Sequence, residues 1–204
     1  MSTNPTVQIP TRRRRGAVAR EEALDAARVL LLAGGPAAVT LKAVGERMGV
    51  GHANLIHHFG SAAGLQGALM DRMVRDLAER IEAGLGQGRE SLEPGRLMTA
   101  VFDAFGKGGA SQLAAWLALA REQGRAGSFA EVVRDLADRL AAMAPDDPGA
   151  ADRARALVTT AAYMAFADGL IGETLMPMLG ARPGLGLDLA LKLTATIMSE
   201  ASDA

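Results

Sequence analysis

The sequence predicts an all-α protein of about nine helices, and three observations carry that prediction. Ala and Leu, both strong helix formers, dominate the composition, while aromatic residues make up only 3% of the 204 residues. Apolar side chains recur every three or four positions, and no stretch alternates as a strand would. Gly, Pro and small hydroxyl residues punctuate the pattern at helix-length intervals.

Taken in order, residues 1–16 contain Pro5, Pro10, Gly16 and the run Arg12, Arg13, Arg14, Arg15, which reads as a flexible basic arm. From 17 to 35, Ala23, Ala27, Leu30 and Leu31 share one helical face, and Gly34–Gly35 end it. Thr40 is placed to cap a short helix, LKAVGERM, that stops at Gly49. A second short helix fits HANLIHHF, closed by Gly60, and Ser61 can start a longer one over about 62–84. Further helices are expected over 93–105, with Pro94 in the first turn, and over 111–124 and 128–143. PDDPG at 145–149 is a loop. A long apolar helix over about 150–178 and a last one over about 186–200 complete the chain.

Composition removes several function classes. With no cysteine there is no disulfide, thiolate metal site or cysteine nucleophile. The longest uncharged apolar stretch, residues 156–167, is too short to span a bilayer, and no apolar segment follows the arginines as in a secretion signal. A cytoplasmic protein is expected. The net charge of −1 hides an asymmetry: residues 1–66 carry +4 and the remainder −5. A basic end on an acidic body suits a polyanionic partner for the first third.

Two short helices joined by a glycine turn behind a longer apolar-faced helix suggest a helix-turn-helix. Val44, Met48, Val50, Leu55 and Phe59 are spaced to pack inward, leaving His52, Ala53, Asn54, His57 and His58 to face out. His and Asn can donate and accept at base edges, Asn suiting adenine in particular. A metal site is a poor reading of these histidines. His52 and His57 are five residues apart rather than four, His57 and His58 point about 100° apart around a helix, and no carboxylate lies in the stretch. There is likewise no nucleophile elbow, P-loop or dinucleotide fingerprint; GQGRESLEPG at 86–95 lacks the strand before it and the Lys-Ser/Thr after it. No enzyme activity, cofactor or metal is expected.

VTLKAVGERMGVGHANLIHHFGSAAGL, residues 39–65, resembles the helix-turn-helix signature of the TetR/AcrR-type bacterial transcriptional regulators, and ALDAARVLLLAGG before it resembles their first helix. Thr40, His58, Phe59 and Ser61 match that signature. Gly51 stands where the family usually has a capping Ser, Ile56 replaces a Tyr and Ala62 a Lys that commonly touch phosphate, and Gly45 replaces an Ala. The DNA-contacting set implied by the resemblance and the exposed face is Thr40, Lys42, Gly51, His52, Ala53, Asn54, His57 and His58. Arg12 to Arg15 are expected to replace the missing phosphate anchors.

The organisation implied is an arm over 1–16, a three-helix DNA-binding domain over 17–62, and a helical ligand and dimerisation domain over 63–204. The resemblance implies a homodimer through the last two helices, and their nearly all-round apolar character agrees. Met98, Phe102, Phe105, Trp116, Tyr163, Met164, Phe166 and Asp168 are the candidates for an apolar effector pocket, with ordinary core as the competing reading. The functional expectation is a ligand-relieved repressor of a double-stranded DNA operator. The alternative is a helical dimer whose degenerate helix-turn-helix binds a protein or nucleic acid without sequence preference.

Overall fold

The computed structural model describes residues 12–85, 94–120 and 127–199, and all its regular structure is helical. Helices α1 (Arg12–Gly34), α2 (Leu41–Met48), α3 (His52–Phe59) and α4 (Ala62–Leu85) come first. Then follow α5 (Pro94–Phe105), α6 (Ala110–Leu119), α7 (Gly127–Ala142), α8 (Ala150–Ala167), α9 (Glu173–Met178) and α10 (Leu185–Ser199). A π-helical turn, Asp168–Gly172, joins α8 to α9 so that 150–178 is one helical rod. Counting that rod once gives the nine helices expected, among the described residues. None of them is long and apolar enough to cross a membrane.

Local chemistry places the first boundaries. The Ala43 N–H donates to Thr40 Oγ1 at 3.1 Å, capping α2, and Gly49 ends it in the left-handed conformation at φ 67°. The Gly64 N–H donates to Ser61 Oγ at 3.0 Å and starts α4. Between α2 and α3, Gly45 is required by close approach: a Cβ there would lie 2.9 Å from the Val50 carbonyl oxygen, which faces it across the turn. The helix propensity lost at Gly45 is therefore the condition for a tight turn.

One contiguous core runs through the molecule. Ala23, Leu24, Ala27 and Leu31 of α1 meet Val44, Leu55 and Phe59 of the short helices, then Leu65, Leu69 and Met73 of α4. The same cluster continues into Met98, Phe102 and Phe105 of α5, Leu113 of α6, Ala165 of α8 and Ala190 of α10. The π turn has a packing cause. A Cβ on Gly169 would lie 2.6 Å from Ser111 Oγ and 2.8 Å from the Phe105 carbonyl oxygen, so the rod bulges where it runs against the α5–α6 corner.

One boundary differs from expectation. Arg12 to Arg15 form the first turn of α1 instead of an extended arm. Arg is a good helix former, and the run is continuous in sequence with the amphipathic segment behind it. Residues 1–11 and the side chains of the four arginines lie outside what is described, as do residues 86–93, which held the glycine-rich segment considered above.

Candidate nucleic-acid interface

Leu55 and Phe59 are the buried side chains of α3 and anchor it against α1 and α4. At 100° per residue, Ala53 and His57 then point directly away from the core, with Asn54 beside them. Gly51, His52, Ala53, Asn54 and His57 are all exposed, as is Lys42 on α2, so six of the proposed contacts lie on open surface. Lys42 is held 3.8 Å from Glu46 one turn on. Thr40 is half-buried because its hydroxyl is engaged in the cap.

His58 is a correction to the outward-facing set. It is half-buried, its ring centroid 6.3 Å from that of Phe59 and 5.7 Å from that of His57, and it leans toward Gly16 of α1. Its position 100° from His57 turns it to the flank, where packing wins over solvent. Ile56, at the position where a tyrosine was expected by resemblance, is 43% exposed and offers only an apolar contact. Among the described residues no three His, Cys, Asp or Glu side chains converge as a metal site would need.

Two arginines matter here that sequence reasoning passed over. Arg20 lies over the Phe59 ring at 5.4 Å from its centroid, so α1 braces the end of α3. Arg72 of α4 donates to Asp25 at 2.6 Å and to the Glu21 carbonyl oxygen at 3.1 Å, fastening α4 along α1. The signal for Arg72 was the cluster of Glu21, Glu22 and Asp25 on α1, which offers partners to a neighbouring helix, whereas no local pattern marked Arg20.

α3 begins without a side-chain cap. Gly51 has extended dihedrals, φ −68° and ψ 140°, and a Cβ would meet nothing within 4 Å. Gly51→Ser is therefore expected to raise stability by about 0.5–1 kcal/mol, through a new cap and a less flexible unfolded chain. A urea-unfolding midpoint that does not rise would refute it.

The eight effector candidates are not gathered around one cavity. Met98, Phe102 and Phe105 are buried in the core, and Met164 and Phe166 pack against it. Tyr163 is 74% exposed and turned outward by its helix phase, whereas Trp116 is 42% exposed on the flank of α6 with its indole N–H directed inward to Gln66. The narrow cleft between α1, α4 and α5, lined by Arg28, Met73, Asp76, Leu77, Arg80 and Ala104, includes none of the eight. Asp168 opens the π turn, and burial pushes its carboxyl above the usual carboxylate range. A carboxyl held higher in the folded state binds its proton more tightly there, so ionising it costs stability as pH rises through that range. Asp168→Asn should accordingly raise the unfolding temperature at pH 7, and the gain should vanish in acid, where both states are protonated. A gain independent of pH would contradict this.

The family model for bacterial regulatory proteins of the tetR family matches residues 23–69. No curated protein matches the chain in sequence. Among solved structures, a TetR-family transcriptional regulator from Pectobacterium atrosepticum is similar in fold, with a TM-score of 0.64 and 17% identity over 90% of this chain and 95% of the other. A transcriptional regulator from Rhodococcus sp. Rha1 gives a TM-score of 0.58 and 21% identity over 87% of this chain and 96% of the other.

Proposed function

We propose that this chain is a DNA-binding transcriptional regulator, a homodimeric repressor relieved by a small, largely apolar ligand; the match of residues 23–69 to the model of the bacterial tetR regulatory family and the likeness in fold to solved regulators support that reading. The observation that carries the reading is the outward face of α3, where Ala53, Asn54 and His57 stand clear of the core on a helix rigidly held by Leu55 and Phe59. Residues 17–62 act as the reading head and 63–204 as the body, with α4 crossing between them. The protein works in the cytoplasm, where its operator lies.

In the groove, Asn54 takes adenine and His57 a purine N7, while the small Ala53 lets the helix approach the base edges closely. His52, Gly51, Thr40 and Lys42 lie toward the flanking phosphates, and His58 steadies the end of α3. The four arginines of the first turn of α1 add cationic charge to a helix end that is already positive, a combination that phosphate relieves. This compensates for Ile56 and Ala62, which lack the phosphate-binding groups of Tyr and Lys.

Dimerisation is supported by an apolar face that one chain leaves open. Tyr163, Leu170 and Met178 along the α8–α9 rod, with Leu189 and Leu193 on α10, are between 42% and 77% exposed. Exposed apolar surface of this extent on paired helices favours a symmetric partner. A ligand would enter between α5 and α8, against Met98, Phe102 and Phe105, and would have to favour one separation of the two heads over another to release DNA.

The experiment is a fluorescence-anisotropy titration against DNA selected by the protein from a random-sequence pool, with a scrambled duplex as control. Asn54→Ala is expected to reduce discrimination between the two by about 1–3 kcal/mol. Equal, salt-sensitive binding of both duplexes would reject a sequence reader and favour the degenerate-head alternative.

A further inference from the structure

Gln66 is buried on the inner face of α4, in register with Leu69 and Met73, where a polar side chain is costly unless its bonds are made. Both ends of its amide are used. Nε2 donates to the carbonyl oxygens of Pro36 at 3.2 Å and Val39 at 3.1 Å, and Oε1 accepts from the Trp116 indole N–H at 3.2 Å. One side chain thus joins the turn just ahead of Thr40, which caps α2, to α6 on the body. An apolar residue would fill the same space without making that link.

We propose that Gln66 is a positioning residue that ties the placement of α2 to that of α6, so that the DNA-reading helices are presented in an orientation set by the body. The coupling follows from hydrogen-bond geometry. These bonds weaken steeply with distance and angle, and a buried amide that loses one partner is left unsatisfied. Satisfying all three bonds therefore requires α6 and the 36–39 turn to hold a fixed separation, and the two move as a unit. Trp116 is 42% exposed, so the α6 end of the tie reaches the surface. The consequence for regulation rests on the proposed function, but the mechanical tie does not.

Trp116→Phe keeps an aromatic ring on α6 and removes the indole N–H donor together with part of the ring's volume. Hydrogen–deuterium exchange of the 39–44 amides in this variant is expected to speed up at least about threefold, although the substitution lies on another helix. Its affinity for the selected duplex should fall by about fivefold with the salt slope unchanged, because no phosphate contact is lost. Trp116 is the single tryptophan, so its emission also reads the tie directly. Saturating DNA should shift that emission in the parent protein. The shift should disappear in Gln66→Glu, which keeps the acceptor for the indole but lacks the donor to Pro36 and Val39. Faster exchange confined to residues 110–119, or raised uniformly throughout the chain, would overturn the proposal. If no duplex is selected from the pool, the regulator reading fails while the exchange result still decides the tie; if Gln66→Glu does not fold, Trp116→Phe decides it alone.

Discussion

Ala53→Glu is expected to weaken binding of the selected duplex by about 100-fold or more while leaving the fold intact. Ala53 lies opposite the buried Leu55 and Phe59, so a longer side chain there meets solvent in the free protein. Glu is nearly as good a helix former as Ala, and position 53 is in the first turn of α3, where a negative charge favours the helix dipole. Folding should thus be unchanged, or stabilised by a few tenths of a kcal/mol. Bound to DNA, the same carboxylate is pressed among phosphates and base acceptors, all of which repel it. Juxtaposed like charges cost several kcal/mol at an interface. The paired measurement is an anisotropy titration and a urea-unfolding curve. Binding within threefold of the parent, with an unchanged unfolding midpoint, would mean that α3 does not enter the groove.

The contrast between α2–α3 and the rest of the chain shows what sequence can carry. Thr40, Gly49, Gly60 and Ser61 act locally, through caps and left-handed turns, and their helices begin and end where those rules put them. Leu55 and Phe59 were legible because an eight-residue helix with two apolar anchors leaves little choice of face. Arg12 to Arg15 were misjudged by their charge, which speaks for an arm, while their helix propensity joins them to α1. Trp116 and Tyr163 show a different limit: a large side chain announces that it needs area but not which neighbour supplies it, and one lies on the flank of α6 bonded to Gln66 while the other turns outward. Gln66 sits in an apolar run, LQGAL, and only its spacing from Leu69 and Met73 marks it as a polar residue at a core position. Its three partners, 27 to 50 residues away, were beyond any local rule. The π turn at 168–172 is likewise a tertiary event, set by Ser111 and Phe105 pressing on Gly169.

The second large effect concerns assembly. The double variant Leu170→Glu/Leu193→Glu, one change on the α8–α9 rod and one on α10, is expected to turn the proposed dimer into a monomer. Leu170 is 42% and Leu193 49% exposed, so in an isolated chain each substitution belongs to the surface class and costs within about 0.5 kcal/mol. Buried in the proposed two-fold interface, each charge would be repeated in the partner, within an apolar seam. At about 3–5 kcal/mol per unpaired buried charge, the dimer constant should weaken by several orders of magnitude. Sedimentation at micromolar concentration should then give half the parent mass with unchanged helical circular dichroism. Operator binding should fall with it by at least about 100-fold, because a dimer engages two half-sites one helical turn apart and a lone head engages one. The two losses have separate causes that one further measurement resolves. Raising the variant's concentration restores binding if only assembly is impaired, whereas Ala53→Glu remains defective at every concentration. A parent protein that sediments as a monomer, or a variant that stays dimeric, would assign the open face of α8 and α10 some other role.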